Sequence, residues 1–232
     1  MNCKNNSSSS TALLIFAYSD KVQSALKPIA YTKKQNELLW HKMNERVLTL
    51  VQKTKLPYFI SDEKTQKGDS FGDRLSHAIQ SVLNRGYDKV IVLGNDSLGL
   101  RLTNLYEAYA EMQEKSVVLG SDFRGGAYLI GISGSSFNKK AFANIDWLTS
   151  KVFIQLQTLY SAQNPLIISP TSDCNTKNDF EKVLHGLPFH SVFKNALFSL
   201  LGYADTTYRF LNHFHTNATI GLTFNKGSPV LL

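Results

Sequence analysis

Short apolar runs that alternate with helix-period segments constrain this 232-residue chain more than any other feature. TALLIFA (11–17), LPYFIS (56–61), VIVLG (90–94), SVVLGS (116–121), GAYLIGIS (126–133) and PLIISP (165–170) read as strands. Residues 32–54 set Leu38, Leu39, Met43, Val47, Leu48, Leu50 and Val51 at helical spacing, after a loop that follows the first strand. SFGDRLSHAIQSVLNRG (70–86) reads as a helix stopped by Gly86, and TNLYEAYAEMQEK (103–115) as one capped by Thr103. WLTSKVFIQLQTLYSAQ (147–163) has the helical period, and NDFEKVLHGL (178–187) is a short helix. Strands alternating with helices predict an α/β fold with a mostly parallel sheet covered on both faces.

The 43% hydrophobic content suits one large α/β domain, here expected over residues 11–187, with appendages. The leader MNCKNNSSSS (1–10) is polar and of low complexity, and is expected to fray outside the fold. Residues 188–232 carry Phe189, Phe193, Phe198, Tyr203, Tyr208, Phe210, Phe214 and Phe224, too apolar a set for a free linker. This extension is expected to pack on the domain or on a partner. No run approaches the roughly 20 apolar residues of a membrane span, and no signal-peptide cleavage pattern follows TALLIFAY.

Cys3 and Cys174 lie in unlike contexts, which argues against a disulfide framework and for a reducing, cytoplasmic setting. Cys174 has no histidine partner in sequence and reads as a small buried thiol. The net charge is +7, and residues 1–68 hold 11 Lys and Arg against 5 Asp and Glu. That excess suits a phosphate-bearing ligand or a solvated basic face. A nucleic-acid module would need Lys33, Lys34, Lys42, Arg46, Lys53 and Lys55 to form a stripe, and no aromatic-basic interleaving supports one. The oligomeric state is left open, a homo-oligomer included.

VIVLGNDSLGL (90–100) breaks from a strand into Gly-Asn-Asp, placing Asp96 at a carboxyl edge of the sheet, where open α/β folds bind ligands. A turn-forming aspartate is the alternative. GxGxxG, GxxxxGK[ST] and GxSxG are all absent. QKGDSFGDRL (66–75), GNDSL (94–98), GSDFRGGAYLIG (120–131) and SDCNTKNDF (172–180) remain as segments that could face one crevice. Mg²⁺ or Mn²⁺ bridges one or two carboxylates to a diphosphate, and Asp96 and Asp173 could supply them. Gly68 and Gly72 stand at a helix start whose amides can receive an anion, with Arg74 as a cation or a surface residue. Gly125 and Gly126 permit close ligand approach or a strained turn. His213 and His215 form an HxH pair without a third ligand, and no catalytic residue is identified.

Taken in order, TALLIFA, QKGDSFGDRLSHAI, VIVLGNDSL, VVLGSDFRGGAYLIGI, IDWLTSKV and SDCNTKNDFEKV resemble the bacterial rSAM/selenodomain-associated transferase 1 family over residues 11–184. The resemblance implies a glycosyltransferase-A-like, Rossmann-like α/β/α sandwich that binds a nucleotide or nucleotide-sugar with a divalent metal. It implies glycosyl or nucleotidyl transfer, or a catalytically impaired relative kept for binding or assembly. By the same resemblance Asp96 matches a GxDxP carboxylate, Gly72 and Arg74 a GxRL-type helix start, and Gly125, Gly126 and Tyr128 a DGGYxLIG segment. Trp147 and Thr149 match a PWGT-like segment. The chain departs from the pattern where Gln23, Ser24 and Ala25 replace the Lys, Thr and Arg of a KTRL-like loop. It also departs at Leu98 for Pro, Arg124 for Asp, Ala127 for Tyr and Asn175 for Asp, with Lys21, Lys27 and Arg124 as cations that could compensate.

Overall fold

The computed structural model describes residues 10–187 and 191–202. Its elements run β1 (Thr11–Phe16), α1 (Asp20–Leu26), α2 (Lys33–Lys53), β2 (Tyr58–Ser61), α3 (Phe71–Leu83), β3 (Lys89–Leu93), α4 (Leu102–Glu114) and β4 (Val117–Asp122). They continue with β5 (Ala127–Ser133), α5 (Lys139–Ala143), α6 (Val152–Leu159), β6 (Leu166–Thr171), α7 (Lys177–His185) and α8 (Val192–Leu200). The sheet order is β2-β1-β3-β5-β4-β6. Every pairing is parallel except those of β5, which is antiparallel to both neighbours. The cause is local: β5 follows β4 after a short turn, and a parallel return would need a crossover of a dozen or more residues.

Alternate residues explain the unbroken apolar character of the strands. Leu14 of β1, Val92 of β3, Leu119 of β4 and Ile130 of β5 pack with Leu75, Ile79 and Val82 of α3, with Phe142 of α5 and with Leu156 of α6. Leu13, Ile91, Val118 and Leu129 share the other core with Val47 and Val51 of α2 and with Leu105, Ala108 and Met112 of α4. A third cluster joins Leu39, Trp40 and Met43 of α2 to Leu98, Cys174, Phe180 and Leu184 of α7, and Leu197 of α8. There Trp40 and Phe180 meet edge to face at 6.1 Å.

The structure corrects several boundaries. A helix, α1, stands where a loop was expected; it buries Gln23 and Ser24, not an apolar stripe, so periodicity could not show it. It is held against α2 by Asn44 and His41, both bonded to Asp20. Helix α5 was likewise not expected. Helix α4 starts at Leu102, with Asn104 Oδ1 accepting from the Arg101 N–H at 2.9 Å, so Thr103 lies inside its first turn. Helix α6 starts only at Val152, because Trp147 is drawn down onto Phe71 and Phe142.

The basic stripe does not form as a set. Arg46 is turned inward, donating to the Leu100 carbonyl at 2.6 Å and lying over the Phe193 ring. Ser10, counted with the leader, is tied to Asp88 through its N–H at 2.9 Å. Helix α8 packs on α2 and α7; Phe189, the aromatic residues from Tyr203 onward and the His213 and His215 pair lie outside the described residues. Among the described residues no helix is long and apolar enough to cross a membrane.

Candidate functional site

A cavity of about 730 Å³ opens at the carboxyl ends of β1, β3 and β4 and the amino end of β5. Its walls come from the segments after β1 and β3, the β4–β5 turn, the start of α3, residues 147–150 and the stretch after β6. One wall is aromatic: Phe16 meets Phe71 edge to face at 5.5 Å, and Phe71 meets Trp147 at 5.5 Å.

Asp96 reaches this cavity because β3 ends at Leu93 and the following residues are tied down. Buried Asn95 donates to Asn44 Oδ1 at 2.8 Å, the Cys174 N–H donates to the Asp96 carbonyl at 2.9 Å, and Ser97 and Asp173 form an antiparallel bridge. That bridge brings Asp96 and Asp173, far apart in sequence, to one wall. Asp96 Oδ2 accepts from Lys27 Nζ at 2.7 Å, and the same ammonium donates to Asn175 Oδ1 at 2.6 Å. Burial, with the charges of Asp96 and Asp122 nearby, pushes the Asp173 carboxyl up to about 8. Its Oδ1 is buried without a hydrogen-bond partner. Cys174 is fully buried and burial pushes its thiol up to about 12, as suits an inert core thiol.

The other expected residues divide. Arg74 and Gly126 line the cavity, and Gly68, Gly72 and Gly125 do not. Arg74 Nη1 donates to the Asp69 carbonyl at 3.3 Å, while its Nε is buried without a partner. A side chain on Gly72 would overlap the Ala143 carbonyl and the Trp147 ring, so this glycine serves the close packing of α3 on α5. The first turn of α3 is already engaged by a capping box between Ser70 and Asp73. Gly125, at φ +84°, turns the chain beneath the Ser150 carbonyl. Trp147 and Thr149 both line the cavity, and Tyr128 lines it with its hydroxyl donating to the Ser169 carbonyl at 2.9 Å.

Two contributors were not singled out in the sequence reading. Asp122 lines the cavity and accepts from the Arg124 and Gly126 N–H groups at 2.8 and 2.6 Å. Its position at a strand end, like that of Asp96, was the available signal. Gln66 lines the cavity with its Oε1 buried and unpartnered. Of the proposed compensating cations, Lys27 and Arg124 line the cavity, whereas Lys21 is exposed and does not. Arg124 is paired with Asp179. Against the effect of burial, hydrogen bonds from Thr176, Asn175 and Arg124 hold the Asp179 carboxyl below its usual range.

A divalent ion seeks several hard, anionic oxygens. Here Asp96 is already paired with Lys27, and the neighbouring donor, Asn175, is an amide. Among the described residues no group of three or more His, Cys, Asp or Glu is placed to hold a metal. As arranged, this donor set does not fit Mg²⁺ or Mn²⁺ well.

The fold has solved counterparts. A Desulfovibrio desulfuricans G20 protein described as a nucleotide-diphospho-sugar transferase superposes with a TM-score of 0.72 at 21% identity, covering 86% of this chain and 97% of its own. Rv0371c of Mycobacterium tuberculosis H37Rv superposes with a TM-score of 0.51 at 10% identity, covering 77% of this chain and 100% of its own. Rv0371c is also known as a manganese complex, which matches with a TM-score of 0.47 at 8% identity, covering 77% of this chain and 100% of its own. No curated protein matches the sequence. The family described as "Uncharacterized protein conserved in bacteria" (DUF2064) matches residues 26–149, more than half of the chain, and the chain belongs to that family.

Proposed function

We propose that this crevice binds the diphosphate of a nucleoside diphosphate-sugar or of a nucleoside triphosphate, and that the chain transfers a glycosyl or nucleotidyl group. The observation that carries the reading is one cavity that gathers the cations Lys27, Arg74 and Arg124 with Asp96, Asp122 and Asp173. The cavity lies at the sheet edge where α/β folds hold nucleotides, and its volume suits a small-molecule ligand. Either transfer leaves negative charge on a departing phosphate. Lys27, Arg74 and Arg124 are the cations along the crevice that can stabilise it. The finer placement in the rSAM/selenodomain-associated transferase 1 family belongs to the same proposal, supported by its ordered motifs.

The test is a thermal-shift screen of nucleoside diphosphates, triphosphates and nucleotide-sugars, with and without Mg²⁺ or Mn²⁺. A ligand of the folded state raises the melting temperature by mass action. Arg74→Ala is expected to weaken that ligand about 10- to 100-fold, the loss of a charge-assisted hydrogen bond. No shift with any compound at millimolar concentration would sink the nucleotide reading and favour a binding or assembly role for the fold.

A further inference from the structure

We infer that Lys27 stands in for a divalent cation in this crevice, so that a nucleoside diphosphate group binds here without metal. The inference rests on the nucleotide reading above and specifies its chemistry. Lys27 Nζ sits between Asp96 Oδ2 at 2.7 Å and Asn175 Oδ1 at 2.6 Å, on the wall where the two expected metal carboxylates meet. An ammonium has three N–H donors. Two are engaged by these oxygens, and the third is available to a phosphate oxygen in the cavity.

The charges are consistent with this arrangement. A divalent ion is neutralised by two carboxylates, whereas a lysine needs one. The wall offers Lys27 one carboxylate, Asp96, and one neutral amide, Asn175. An aspartate at 175 would suit a metal and leave the wall with excess negative charge around a lysine.

The lysine is also built into its position. Its carbonyl accepts from Trp40 Nε1 and from Asn36 Nδ2, each at 3.0 Å, and its own N–H donates to the Gln23 carbonyl at 2.9 Å. Trp40 and Asn36 are both buried, and Asn36 Oδ1 takes the N–H groups of Ile29 and Ala30, two and three residues after Lys27. The ammonium lies 5.9 Å from the centroid of the Trp40 ring. The backbone that carries the ammonium is therefore fixed before any ligand arrives, and the contacts with Asp96 and Asn175 hold the side chain, whose rotamer entropy ligand binding would otherwise have to remove.

The experiment is calorimetric titration of ADP, CDP, GDP, UDP and dTDP into the full chain, once in EDTA and once in Mn²⁺. The inference expects one of them to bind equally well in both buffers, and Lys27→Met to weaken it at least tenfold without rescue by Mn²⁺. Melting curves of the variant establish that it is folded. Asn175→Asp, at an exposed position, is the second variant and is expected to bind the nucleotide more tightly in Mn²⁺ than in EDTA. Binding to the wild type only in Mn²⁺ overturns the inference and leaves the nucleotide reading standing. Equal affinity of folded Lys27→Met and wild type, or no response of Asn175→Asp to Mn²⁺, also overturns it. Binding of no nucleotide in either buffer overturns the inference and the nucleotide reading together.

Discussion

Between pH 5 and 7 the wild-type protein is expected to lose stability as pH rises, and Asp173→Asn to abolish most of that loss. The Asp173 carboxyl is pushed from 3.8 up to about 8 by burial and by the charges of Asp96 and Asp122. Between those two values the folded protein keeps a proton that the unfolded chain has released. Raising pH through this window therefore favours unfolding, by up to about 1.4 kcal/mol per pH unit. Over two units the limit is about 3 kcal/mol. In a chain of this size that moves the melting temperature by up to roughly 10 °C. The carboxylates of Glu45, Glu63, Asp73 and Asp179 are held below their usual values of 3.8 to 4.5. What they contribute is lost only as pH falls through their folded-state values, outside the window. Scanning calorimetry of wild type and Asp173→Asn at pH 5, 6 and 7 isolates the residue. Parallel melting temperatures across the three pH values would refute a protonated Asp173.

Gly125→Ala is expected to destabilise the fold by about 3 kcal/mol, combining a left-handed backbone with overlap on the Ser150 carbonyl; urea denaturation measures it, and a loss below about 1 kcal/mol would show that the turn relaxes. Trp40→Phe keeps the contact with Phe180 but deletes the N–H donated to the Lys27 carbonyl. Its expected cost is about 1 kcal/mol, with a severalfold loss of nucleotide affinity by titration, and unchanged affinity would mean that this bond does not position Lys27. Thr32→Ala breaks the capping box of α2 and is expected to cost about 1 kcal/mol in the same urea assay. Arg46→Ala leaves the Leu100 carbonyl without its guanidinium donor and is expected to cost about 2 kcal/mol; a change below about 0.5 kcal/mol would show that Arg46 does not brace that carbonyl.

The sequence by itself determined the layers. Runs such as VIVLG are apolar on both faces, so they had to lie between helices, and the helical spacing of α2, α3 and α7 was plain in the residues. A strand ending in Gly-Asn-Asp pointed to the carboxyl edge of the sheet, and Asp96 does lie on the cavity there. What sequence reasoning could not reach were features whose cause is long-range. Helix α1 buries polar Gln23 and Ser24 against α2, so its stability comes from tertiary hydrogen bonds, not from an apolar stripe. Gly72 proved to be a packing glycine because Trp147, 75 residues later, folds over it. The meeting of Lys27, Asp96 and Asn175 spans 148 residues of chain. Local pattern sets which faces are buried, but only the assembled sheet decides which strand ends share a crevice, and so which cation sits beside which carboxylate.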